Sequence, residues 1–211
     1  VFWKGPEKME YLDFDKAEQN RRRKRILFGI LGWIIQIVIM VGLAFGVIEF
    51  AVEKTTMTGD SMEATLFNED KIIISRFSYL FRNPKRFDVI VFKQSGKEHS
   101  YYNIKRVIGL PGETIQIIDG SVYIDETILE EPISVELMNV SGLAQEPITL
   151  EENEYFVLGD HRNFSEDSRF ANVGTIVKDD IVGKAWLRIS PNFAFISKLN
   201  LKPEEKDIDQ E

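Results

Sequence analysis

Residues 26–48 form an unbroken run of 23 without a charge and with a single amide, Gln36. A helix needs about 20 apolar residues to cross the hydrocarbon core of a bilayer, so this run predicts a transmembrane helix. A buried core helix is the competing reading, but a helix of a soluble domain usually keeps one polar face and this one has none. A cleavable secretory signal is the other competitor. The run is longer than the usual apolar region of such a signal, and no small-x-small pattern closes it. Immediately before it stands Arg21-Arg22-Arg23-Lys24-Arg25. Lysine and arginine beside a span are retained on the cytoplasmic side, so the expected topology is single-pass, with a cytoplasmic N-terminus and everything after residue 48 outside the cell membrane.

Charge is distributed to match. The chain has a net charge of −8, yet residues 1–25 carry +3 and the rest carries −11. A basic cluster alone also suits a nucleic-acid tail, but next to an apolar run of this length it reads as a topology signal, and no nucleic-acid partner is expected. The 211 residues suffice for an anchor and one mid-sized domain. There are no cysteines, which excludes a disulfide framework, a thiolate nucleophile and thiolate metal ligands. No cofactor and no metal are expected. The expected organisation is a basic segment at 1–25, the span at 26–48, an extracytoplasmic domain at 49–199 and a charged tail at 200–211. Residues 1–20 are polar without a sustained period and carry no assignable structure.

Beyond the span the pattern is β. Short runs rich in branched residues lie at 71–75, 88–92, 104–108, 114–118 and 121–124, with further strands expected at 154–158 and 181–189. Residues 49–56 read as a link or a first strand. Asp119-Gly120 between two runs is a two-residue hairpin signal. The fold class is therefore mainly β: an all-β domain of short antiparallel strands behind one N-terminal transmembrane helix. Residues 130–150 lack periodicity, contain Pro132, Gly142 and Pro147, and read as an insertion or variable loop.

Three stretches carry the chemistry. The first is Thr58-Gly59-Asp60-Ser61-Met62-Glu63-Ala64-Thr65-Leu66, the second Tyr102-Asn103-Ile104-Lys105-Arg106-Val107-Ile108-Gly109-Leu110-Pro111-Gly112-Glu113. The third is Gly159-Asp160-His161-Arg162-Asn163-Phe164-Ser165-Glu166-Asp167-Ser168-Arg169. A serine hydroxyl needs a base within reach before it can act as a nucleophile. The two histidines are His99, in a polar run that reads as an exposed hairpin loop, and His161, whose only persuasive carboxylate neighbour is Asp160. Lysine is the other candidate, provided burial lowers its pKa. Strand alternation puts Lys105 on one face with Asn103 and Val107, where it can be desolvated; a lysine guarding a sheet edge is the ordinary alternative.

These stretches resemble the type I signal peptidases, membrane-anchored serine proteases with a Ser/Lys dyad that release exported proteins from their signal peptides. The resemblance covers the span and nearly all of residues 50–190, in the family's order and spacing, and rests most on Lys105-Arg106-Val107-Ile108-Gly109-Leu110-Pro111-Gly112 and on the third stretch. It implies a nucleophile at Ser61 and a general base at Lys105, with the Ser61 backbone N–H donating to the oxyanion. Gly59 stands where some members have a hydroxyl residue, which resembles the Gram-positive branch. Ser165 matches the hydroxyl that orients the lysine, Asp160 and Arg106 match a structural ion pair, and Asp167 and Arg169 match polar groups that hold the site's loops. Asp88 fits the family as an architectural residue. Two positions depart from the pattern: Ala64 replaces a usual proline, which implies a less rigid turn, and His161 replaces a usual asparagine.

The substrates so implied are exported preproteins with small residues at the first and third positions before the cut. Met62 is a candidate liner of the shallow pockets they need, and the bilayer is the other expected partner. Two further readings compete. An inactive membrane-anchored binder of the same fold would not need Ser61 and Lys105 intact. A self-cleaving repressor uses similar chemistry but needs a DNA-binding module, for which residues 1–25 are too short.

Overall fold

The computed structural model describes residues 7–93 and 102–202. The chain divides into two compact units, residues 1–49 and residues 50–211. The first is one helix, α1 (Glu7–Ala51), whose last two residues run into the second unit. Helix begins at Glu7, ahead of the apolar run, in a segment that its own periodicity leaves unassigned. Once an apolar helix is nucleated, each added residue gains a hydrogen bond without a new nucleation cost, and Glu, Lys, Ala and Arg extend it readily. Within α1, Arg21–Gly46 spans 26 residues and is long and apolar enough to cross a membrane. Its apolar side chains, Phe28, Trp33 and Phe45 among them, are exposed.

The second unit is built of antiparallel strands: β1 (Val52–Thr56), β2 (Lys71–Ser75), β3 (Val89–Lys93), β4 (Tyr102–Gly109), β5 (Thr114–Ile118), β6 (Ser121–Ile124), β7 (Thr127–Ile128), β8 (Ile148–Thr149), β9 (Glu154–Leu158), β10 (Ile176–Val177), β11 (Ile181–Ser190) and β12 (Ala194–Phe195). The larger sheet runs β1-β2-β11-β3-β4-β9-β10, with β12 paired to β11; the smaller runs β7-β6-β5-β8. The mainly β expectation holds, and the runs at 71–75, 114–118 and 121–124 coincide with β2, β5 and β6. Asp119 and Gly120 turn the β5–β6 hairpin with φ of +49° and +79°, the left-handed pair that such a turn demands.

Alternation along β3 supplies two cores at once. Val89 and Val91 pack with Met57, Met62, Leu66, Ile72, Ile74 and Ile104, whereas Ile90 and Phe92 pack with Val107, Tyr155, Val157 and Ile176. A third cluster joins Ile115, Ile117 and Val122 of the smaller sheet to Ile108, Phe156 and Leu158 of the larger one. Met138, Ala144 and Leu150 belong to that cluster, so the aperiodic 130–150 segment is anchored by buried apolar side chains. β4 lies between β3 and β9 and is buried from Ile104 to Gly109. Everything placed on that buried stretch, Lys105 and Arg106 included, is removed from water.

Candidate active site

Ser61 sits in the loop between β1 and β2, and this loop is shaped by short-range hydrogen bonds and by burial of its apolar members. Glu63 N–H donates to Asp60 O at 3.0 Å, and the Thr65 and Leu66 amides donate to Met62 O at 3.0 and 2.8 Å. Met62 and Leu66 are fully buried in the first core, which fixes the loop from below while Ser61 itself stays half-buried. Gly59 has φ +82° and its N–H donates to Asn68 Oδ1 at 2.9 Å. Ala64 also has positive φ, +79°. Proline, locked near −65°, cannot adopt that conformation, so the residue at this position dictates a different turn from one built on proline.

Lys105 Nζ lies 2.6 Å from Ser61 Oγ, although the two residues are 44 positions apart. Lys105 is 5% exposed, on an interior strand directly across from the fully buried Ile90, so it does not guard an edge. Desolvation lowers its pKa from 10.5 to about 8; the negative charges of Asp167, Glu166 and Asp160 pull it partly back, and Arg169 adds to the lowering. A half-buried hydroxyl against a desolvated amine is an arrangement in which the amine can take the hydroxyl's proton.

The polar groups of the third stretch are buried and paired. Arg106 grips Asp160 with two bonds of 2.7 and 2.6 Å, at side-chain exposures of 3% and 0%. Arg106 also donates to Phe87 O at 2.9 Å, and Thr65 Oγ1 donates to Asp160 Oδ2 at 2.5 Å. The Ser61 loop, β4 and the third stretch are thereby joined through one carboxylate. Asp167 accepts the Gly159 N–H at 3.1 Å and two bonds from Arg169, at 2.8 and 2.9 Å. Arg169 in turn donates to Arg162 O and, at 3.1 Å, to Val140 O. Ser165 Oγ is buried without a hydrogen-bond partner among the described residues, although the stretch carries it into the same interior.

Other residues of the site emerge only from the fold. Gly159 is where the loops touch: a Cβ there would meet Ser165 Oγ at 2.2 Å and Ser61 O at 2.4 Å. Arg162 is 1% exposed and forms a two-pronged ion pair with Glu131 from the 130–150 segment. Thr65 and Arg162 lie within the quoted motifs, but their partners are 95 and 31 positions away, and no local pattern points to them. His161 bonds through its backbone N–H to Ser61 O at 3.2 Å. His99 lies outside the described residues. Asp88 is bound by Tyr79 Oη at 3.0 Å, by the Lys85 N–H at 3.1 Å and by Lys184, so it ties β3 to the preceding turn and to β11.

Residues 30–190 match the family described as signal peptidase, peptidase S26. The chain is 33% identical over 153 residues to a probable signal peptidase I-2 of Synechocystis sp., an alignment that covers 71% of this chain and 68% of that one. It is 37% identical over 155 residues to a signal peptidase I of Leptolyngbya laminosa, covering 71% and 74%. With signal peptidase I P of Bacillus subtilis subsp. natto the identity is 34% over 178 residues, covering 81% and 94%.

Proposed function

The chain belongs to the signal peptidase family, peptidase S26, whose members cleave signal peptides, and from that premise we propose that Ser61 and Lys105 are the nucleophile and general base of the cut. The observation that carries this assignment is the 2.6 Å approach of Lys105 Nζ to Ser61 Oγ. Neutral Lys105 takes the hydroxyl proton as Ser61 Oγ attacks the carbonyl carbon of the scissile bond. The ammonium so formed returns that proton to the leaving amine. Lys105, neutral again, then deprotonates the water that hydrolyses the acyl-enzyme. The tetrahedral intermediate's oxyanion is met by the Ser61 N–H.

The substrates are exported preproteins. Among the described residues β1 is paired on one side only, with β2, and it leads directly into the Ser61 loop, so an extended segment of substrate can add to its free edge and deliver its carbonyl to Ser61. The apolar helix anchors the enzyme in the membrane in which the substrate's own apolar segment lies. The basic pentad places the N-terminus in the cytoplasm and residues 50–211 outside. Asp160, Arg106, Asp167 and Arg169 hold the loops in register, and the steadying of the lysine by Ser165 rests on the family's pattern, since Ser165 Oγ makes no hydrogen bond to Lys105.

The test is cleavage of a preprotein by the full chain in detergent, with product masses measured. Wild type is expected to cut after a small-x-small site, and Ser61→Ala and Lys105→Ala to abolish the cut while keeping the melting transition. Binding without cutting by the wild type would favour the inactive binder, and full activity in Lys105→Ala would sink the dyad.

A further inference from the structure

The 60–61 peptide carries both the Asp60 carbonyl and the Ser61 N–H, so whatever holds the carbonyl also aims the N–H. A peptide unit is planar and trans, with C=O and N–H pointing in opposite directions. His161 lies against that carbonyl: its Nδ1 is 3.2 Å from Asp60 O and 3.4 Å from Glu63 Oε2. Both neighbours are acceptors, so Nδ1 carries a proton whether the ring is neutral or charged. The ring is steadied by Phe164, with centroids 4.5 Å apart, and the His161 backbone N–H holds Ser61 O from the other side. One residue therefore grips the carbonyls on both sides of the Ser61 α-carbon.

We propose that His161 is a positioning residue for the oxyanion hole, its Nδ1–H holding the Asp60 carbonyl so that the N–H of the same peptide faces the developing oxyanion; the proposal rests on the reading of Ser61 as nucleophile. The need for it is local. Gly59 offers no side-chain donor, and Ala64 lets the loop turn through a left-handed conformation rather than a proline-stiffened one. The peptide's other restraint, the Glu63 N–H on Asp60 O, comes from the same loop and moves with it, whereas His161 reaches in from the third stretch. Glu63 has a second use here: its carboxylate keeps the proton on Nδ1 rather than on Nε2. Preorganisation of a donor toward the position of the oxyanion is worth rate because the dipole needs no reorientation when charge develops.

Removal of an oxyanion donor lowers kcat by about 100- to 1,000-fold; His161 orients the donor without being it, so about tenfold is expected from its truncation. Three variants of the full chain in detergent make the test: His161→Ala, His161→Asn and His161→Gln. The amide nitrogen of asparagine falls where Nδ1 stands, and that of glutamine where Nε2 stands. Expected are a loss of about tenfold in kcat with KM unchanged for His161→Ala, restoration by His161→Asn, and no restoration by His161→Gln. Affinity for a peptide aldehyde ending in a small-x-small sequence, which forms a tetrahedral adduct on serine, should fall in parallel with kcat.

If asparagine and glutamine behave alike, if the loss falls on KM, or if aldehyde affinity is untouched while kcat drops, the role is wrong. Should His161→Ala fail to fold, the asparagine and glutamine variants decide by the same comparison. Ser61→Ala run alongside separates the two levels. If it still cleaves, the nucleophile assignment falls and takes this proposal with it; if it is dead and the His161 series is flat, only the role of His161 falls.

Discussion

Lys105 is buried at the expense of stability. Its amine is buried and its pKa lies below the value of a free lysine because burial penalises the charged form. Between about pH 8, the folded value, and 10.5, the ordinary one, the unfolded chain holds a proton that the native state lacks, so stability rises with pH across that window. Below pH 8 the desolvation cost is borne in full. Replacement by methionine keeps the volume and removes the charge, so Lys105→Met is expected to be more stable than wild type at pH 7 by about 1–2 kcal/mol, and inactive. Thermal melts at pH 7 and pH 10 check this, since the difference should narrow at the higher pH. The same titration governs rate: kcat/KM should climb about tenfold per pH unit up to a bend near pH 8, and a flat profile from pH 6 to 9 would contradict a lysine base.

The third stretch is held by three segments that precede it in the chain. Asp160 is clamped by Arg106 from β4 and by Thr65 from the Ser61 loop, while Arg162 is clamped by Glu131 from the 130–150 segment. That segment also supplies Val140 O to Arg169, and its Leu143 N–H donates to Arg169 O at 2.8 Å. It braces the stretch that braces the Ser61 loop. Removing one partner of a buried pair leaves the other charged and unpaired, which costs about 3–5 kcal/mol. Glu131→Ala should therefore destabilise by roughly that amount and lower cleavage although it touches neither Ser61 nor Lys105. Glu131→Gln, which still accepts one bond from Arg162, should lose less; denaturant titration of the two variants checks the order. Equal stability in wild type and Glu131→Ala would mean that the segment does not brace the site.

The proposed topology is sided, and with no cysteine in these 211 residues it can be measured by introducing single cysteines. Gln19→Cys, before the basic pentad, and Leu137→Cys, exposed at 67% in the catalytic unit, report on opposite sides. An impermeant maleimide applied to intact cells stripped of their wall should label Leu137→Cys and should reach Gln19→Cys only after permeabilisation; the reverse pattern would overturn the orientation. The length of the apolar helix, the β2, β5 and β6 strands and the Asp119-Gly120 turn were legible in the residues because each depends on neighbours a few positions away. Ser61 and Lys105 were legible as a pair through the motifs that surround them. The helix before Arg21 was not, since its stability is inherited from the apolar run it adjoins. The residues by themselves therefore determined the apolar helix, the strand periodicity and the kinds of groups that the site brings together. Tertiary structure alone decided that Lys105 lies on an interior strand, that Gly159 admits Ser61 O and Ser165 to contact distance, and that Glu131 finds Arg162 and Thr65 finds Asp160. The physical reason is that desolvation and buried pairing depend on which distant segments close over a group, and those segments are brought together only by the packing of the sheets.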